Sequence, residues 1–214
     1  MHVFLINILT KCADIAIIWN EVGMTTLQQF RVHLKPGKVY RREELQAFSP
    51  SVDRVLKNLL EDRLLEKAGA GLYYRPKKSV FGATPPGEHE LVEAFLKDKD
   101  YLLVSPNLYN SLGVGTTQLY NTTIVYNRKR HGQFTLAGKR FDFRMKPRFP
   151  KTLSEEFLLV DLMNNLSSLS EDRELVSEGA KRRAASLNRN QLLKAARAYG
   201  KVGTRRFFEK LFVK

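Results

Sequence analysis

The sequence predicts an α+β chain, an N-terminal winged helix-turn-helix followed by a mixed α/β domain. Three observations point that way. Between residues 25 and 76, three short helical patterns are followed by a Gly-turned hairpin. After a stretch rich in Pro and Gly, strand-like and helix-like segments intermix up to the C-terminus. The 214 residues carry 36 Lys and Arg against 22 Asp and Glu, a net charge of +14, which calls for a polyanionic partner.

Thr25 to Leu34 reads as the first helix, with Leu27, Phe30 and Leu34 at spacings of three and four, ended by Pro36-Gly37. Val39-Tyr40 reads as a very short strand and Arg42 to Phe48 as a second helix with Leu45 and Phe48 inward. Ser49-Pro50-Ser51 then signals a helix start, because Ser49 can accept from free amides and Pro50 suits the first helical position. Val52, Val55, Leu56, Leu59 and Leu60 make its apolar stripe, and Ser51, Arg54, Lys57 and Asn58 lie on the opposite face. Leu64 to Lys67 and Leu72 to Arg75, around Gly69-Ala70-Gly71, form the hairpin. In a winged helix the third helix enters the major groove, where its side chains reach base edges. Arg54 suits guanine and Asn58 adenine, because each offers a matching bidentate geometry, and Ser51 sits one turn earlier. Arg41, Arg42, Lys57 and the hairpin residues Lys67 and Arg75 are the expected phosphate contacts.

Residues 77–87, with Lys77-Lys78, Gly82 and Pro85-Pro86-Gly87, read as a linker, and residues 88–214 as the second domain. There, Glu88 to Lys97 is a helix, Tyr101 to Ser105 and Thr123 to Tyr126 are strands, and Gln133–Leu136 with Arg140–Arg144 flank the Ala137-Gly138-Lys139 turn. On that hairpin Phe141 and Phe143 point one way, and Arg140, Asp142 and Arg144 the other. Helices follow over Thr152–Asn165, Leu187–Tyr199 and Thr204–Phe212. Basic charge is concentrated in residues 128–151, net +8, and 181–214, net +10. Arg128, Lys129, Arg130, Lys139, Arg140 and Arg144 form a second candidate nucleic-acid surface, against the reading of a solvated hairpin with an aromatic core face.

The run "GKVYRREELQAFSPSVDRVLKNLLEDRLLEKAGAGLYYRP" resembles the N-terminal winged helix of the AbiEi-type antitoxins of type IV toxin–antitoxin, or abortive-infection, systems. Val55-Leu56, Leu60, Leu64-Leu65, Gly71 and Tyr73 carry the match. The chain departs from the family at Tyr40-Arg41-Arg42, where a small polar cap is usual. "LGVGTTQLYNTTIVYN" and "EEFLLVDLMNNL" are similar to the body of the same family, so the resemblance covers about residues 25–210. It implies a cytoplasmic repressor that binds inverted repeats of double-stranded DNA in its own promoter. It also implies neutralisation of a nucleotidyltransferase-like toxin. Neither catalysis nor a cofactor is expected, and no partnership with a membrane.

The alternative class is a metal-dependent nuclease, with Asp142, Glu155 or Glu156, and Asp161 as ligands. Against it, Asp142 is followed two residues on by Arg144, where the restriction-type pattern has Lys, and no second acidic strand follows. An RNA-binding accessory role is a third reading. The single cysteine, Cys12, excludes an internal disulfide and a cysteine-based zinc site. Met1 to Trp19 is the most apolar stretch, but Lys11 and Asp14 break it well short of the roughly 18 residues of a span. Residues 1–23 admit two readings, an extra packing helix or an upstream start with translation beginning at Met24.

Overall fold

The computed structural model describes residues 26–80 and 82–212, so the expectations for residues 1–23 and Cys12 lie outside the described residues. The secondary structure is mixed, with helices and two kinds of sheet, an α+β architecture as the sequence predicts. The chain divides into two compact units at Lys99/Asp100, with Thr135–Gly138 grouped with the first.

The first unit begins with α1 (Thr26–His33), β1 (Val39–Arg41), α2 (Arg42–Gln46), α3 (Val52–Glu61), β2 (Glu66–Gly69) and β3 (Leu72–Tyr74). The strands form one antiparallel sheet in the order β1-β3-β2. Its register pairs Val39 with Tyr74 and Glu66 with Tyr74 across the central strand. Gly71, at φ +67°, closes the β2–β3 turn in a conformation that favours glycine. Its carbonyl accepts the Arg42 amide at 2.9 Å and so ties the turn to the start of α2.

The core of this unit includes Phe30, Leu34, Leu45, Val52, Leu56 and Leu59, from the apolar stripes expected for the three helices, joined by Leu65. Burial of each large aliphatic side chain contributes about 1.5–3 kcal/mol. One helix start differs from expectation. α3 begins at Val52, with Ser51 as its cap residue and Pro50 outside it. The Ser49 hydroxyl is buried and accepts the Ser51 amide at 3.2 Å, so it closes a local turn instead of capping the helix.

The linker expected over residues 77–87 is a correction. β4 (Lys77–Ser79) and β5 (Gly82–Thr84) pair as an antiparallel ribbon within it. The next helix, α4 (Glu88–Leu96), belongs to the first unit rather than to the second domain. The reason is packing and capping. α4 packs on β1, and the carbonyls at its end are bound by Arg41 of that strand.

β6 (Tyr101–Val104), β7 (Thr122–Asn127) and β9 (Lys139–Met145) of the second unit form a mixed sheet with β8 (Gly132–Leu136), which the second unit holds as far as Phe134, in the order β6-β7-β9-β8. β6 runs antiparallel to β7, and β7 runs parallel to β9 with Val125 opposite Phe143 and Tyr126 opposite Arg144. A 3-10 helix over Pro106–Leu112 precedes β7. Helices α5 (Glu155–Asn165), α6 (Arg173–Ser186), α7 (Arg189–Tyr199) and α8 (Val202–Phe212) follow the sheet. Side-chain hydroxyl and amide caps start two of them: Ser154 accepts from Phe157 and Asn188 from Gln191.

α6 has no counterpart in the sequence expectations. Its inward positions, Val176, Gly179, Ala180 and Ala184, are small and give little apolar periodicity. That smallness has a use. A Cβ on Gly179 would lie 2.2 Å from the Val114 carbonyl oxygen, so only glycine admits this approach.

Candidate nucleic-acid interface

α3 is held by its buried face, Val52, Val55, Leu56 and Leu59, against the core of the first unit. Its opposite face therefore points to solvent whatever the surface residues are. On it the structure brings together Ser51, Arg54 and Lys57, all exposed, with Asn58 half-buried at the edge. The charges on this face are not equivalent. Arg42 reaches across from α2 and clasps Asp53 with two parallel bonds, Nε to Oδ1 at 2.8 Å and Nη2 to Oδ2 at 2.6 Å. The clasp holds the Asp53 carboxyl below its ordinary pKa and raises that of Arg42, in both cases chiefly through this hydrogen bond. Lys57 stands 4.0 Å from Glu61, one turn along. Arg54 makes no ion pair among the described residues.

Three expected contacts, Arg41, Arg75 and Arg144, are corrected. Arg41 does not face solvent. Its side chain is only 16% exposed, and it donates from Nε to the Ala94 carbonyl at 2.6 Å and from Nη2 to the Phe95 carbonyl at 2.9 Å. The last carbonyls of α4 have no intrahelical partners, and a guanidinium satisfies two at once. Arg75 does the same for α1, donating through Nη1 to the carbonyls of Leu34 and Arg31, the latter at 3.2 Å. Arg42 keeps an exposed edge, but its charge is matched by Asp53. Arg144, assigned to a second surface, points inward. Its Nη1 donates to Asn165 at 2.6 Å, and its Nε and Nη2 both reach Asp142 Oδ2.

Of the hairpin cations, Lys67 remains exposed on β2. Beside it, Tyr74 donates to the Glu66 carboxylate, and burial together with that acceptor pushes the Tyr74 hydroxyl up to about 12. Arg63 is an exposed cation that the sequence reading passed over. It follows the α3 cap residue Asp62 at φ +53°, a left-handed position that its sequence context did not signal.

In the second unit, Arg128 pairs with Asp100 at 2.9 Å and lies over the Phe149 ring. The amides of Lys129 and Arg130 both donate to the buried Asn127 side chain, which shapes the loop after β7. Lys139 is half-buried and Arg140 exposed at the start of β9. The alternation along β9 holds, with Phe141 and Phe143 fully buried, yet the other face is not a solvated one. Asp142 and Arg144 share it with Tyr126, and it turns toward α5.

On that face sits a buried polar cluster. Tyr109 and Tyr126 donate to the two oxygens of Asp161 at 2.7 and 2.6 Å, and Asn165 donates to both hydroxyls at 3.3 and 3.2 Å. Burial raises the Asp161 carboxyl above its ordinary pKa, and the two tyrosine bonds oppose that rise. Burial and the same carboxylate raise both tyrosines. The carboxylates of the nuclease alternative thus go to separate partners, since Glu155 pairs with Arg183 at 2.7 Å and Asp142 with Arg144. Among the described residues, no group of three His, Cys, Asp or Glu is placed to hold a metal ion. Also among them, no helix is long and apolar enough to cross a membrane. The chain matches no family of known proteins, and no curated protein matches it.

Proposed function

We propose that the first unit is a winged helix that binds duplex DNA, and that the protein is a cytoplasmic transcriptional regulator of the antitoxin type. The order helix, strand, two helices, hairpin, with the sheet arranged β1-β3-β2, supports the winged-helix reading. The observation that carries it is the outer face of α3, where Arg54 and Lys57 project beside Asn58 and Arg54 makes no ion pair among the described residues. A cation left unpaired on an exposed helix is available to a base edge at no cost in broken ion pairs. The antitoxin class, with repression of its own promoter and antagonism of a nucleotidyltransferase-like toxin, rests on the sequence resemblance.

Titration of the full chain against duplexes from the region upstream of its own gene, beside scrambled duplexes, tests the reading. Arg54→Ala is expected to weaken the cognate duplex by roughly 1–3 kcal/mol and the scrambled one far less. Equal losses on both mean that Arg54 holds only the backbone and that α3 is not the reader.

A further inference from the structure

The second unit has a concavity of about 610 Å³ whose lining contains four cations, Arg148, Arg189, Lys194 and Arg197, and no carboxylate. Three of them come from α7, and Arg148 comes from the segment after β9, more than forty residues earlier in the chain. Along α7 the charges run from residue 189 to 197, about 12 Å at a rise of 1.5 Å per residue.

The four are held differently. Arg189 lies over the Phe212 ring, 5.2 Å from its centre, and donates to the Phe212 carbonyl at 2.8 Å, which fixes its guanidinium. Arg197 stands 3.6 Å from Glu209 of α8, the single carboxylate near it among the ion pairs of this unit's end. Arg148 and Lys194 are exposed and make no ion pair among the described residues. Like charges gathered in a concavity repel one another, and a binding partner that supplies several negative charges relieves the repulsion and releases condensed counterions. Leu193 and Ala198, between the cations, add an apolar part to the lining.

We infer that this groove binds single-stranded nucleic acid through its phosphate backbone. Its volume lies in the range of small-ligand sites, so it admits a few nucleotides of one strand. The cations take the phosphates, and Leu193 and Ala198 offer an apolar face to the sugars between them. The inference goes beyond the DNA reading of the first unit and stands on the second unit alone.

Fluorescence anisotropy of the full chain with a short labelled oligothymidylate, over a range of salt concentrations, tests it. Arg148→Ala with Lys194→Ala removes the two cations that anchor nothing else. Loss of two phosphate contacts lowers the salt slope for a single strand by about 1.4 and weakens binding. A charge-matched control, Arg182→Ala with Arg206→Ala, changes two exposed cations outside the groove and leaves both quantities in place. The groove variant keeps its preference for a cognate over a scrambled duplex. The two readings therefore fail separately. An unchanged slope in the groove variant overturns the inference. So does an equal drop in the control, or groove-dependent binding of polyglutamate in preference to the oligonucleotide.

Discussion

Arg41 separates a DNA contact from a structural cap. By sequence it lies beside Arg42 ahead of the second helix, a place for a phosphate contact. In the structure its guanidinium binds the carbonyls of Ala94 and Phe95 and is 16% exposed. A hydrogen bond from a charged donor contributes about 1.5–3 kcal/mol. Two bonds made by one side chain are not fully additive, and carbonyls at a helix end recover some water after truncation. Arg41→Ala is therefore expected to cost about 2–4 kcal/mol. The loss falls on the docking of α4, so amide exchange in residues 88–96 should speed up before global unfolding does. Urea unfolding followed by circular dichroism, with exchange measured on the same protein, gives both readings. Arg41→Lys keeps the charge but not the fork, and should recover only part of the stability. At equal folded fraction, the salt slope for duplex binding should not change. If Arg41→Ala instead unfolds at the wild-type midpoint and lowers the duplex slope by about one, the side chain is a phosphate contact and the capping argument is wrong.

Two further outcomes follow from the second unit. Gly179→Ala drives a methyl into the Val114 carbonyl, which is backbone and cannot rotate away, so a loss of about 1–3 kcal/mol or more is expected in thermal or urea unfolding. Asp161→Asn leaves one of the two tyrosine hydroxyls without its acceptor, at about 1–3 kcal/mol. The same variant tests a pH dependence. The folded state raises the Asp161 pKa, so it holds a proton that the unfolded chain releases. That contribution is fully present below the ordinary carboxylate value and is lost as pH rises through it to the raised one. Urea midpoints measured from acid to neutral pH should show this decline in the wild type and a flatter profile in Asp161→Asn, and parallel profiles would rule the linkage out.

The sequence by itself determined the local elements. Val52, Val55, Leu56 and Leu59 recur at helical period, and Gly71 allows the turn that joins β2 to β3, so α3 and its hairpin are legible from neighbouring residues alone. The exposed face carrying Arg54 and Lys57 follows from the same periodicity, because burying one stripe exposes the other. Only the tertiary structure decided which cations are free. Arg41 meets carbonyls more than fifty residues away, Arg75 meets the end of α1, and Arg144 meets Asn165. No local pattern marks such pairings, since a helix end or a buried amide becomes a partner only when packing delivers it. The boundary after α4 was hidden for the same reason, because α4 is tied to the first unit by its packing on β1 and by an arginine cap, and not by its place in the chain. The groove of Arg148, Lys194 and Arg197 likewise needed the fold, which sets a loop after β9 beside α7 and turns scattered basic residues into one concave surface.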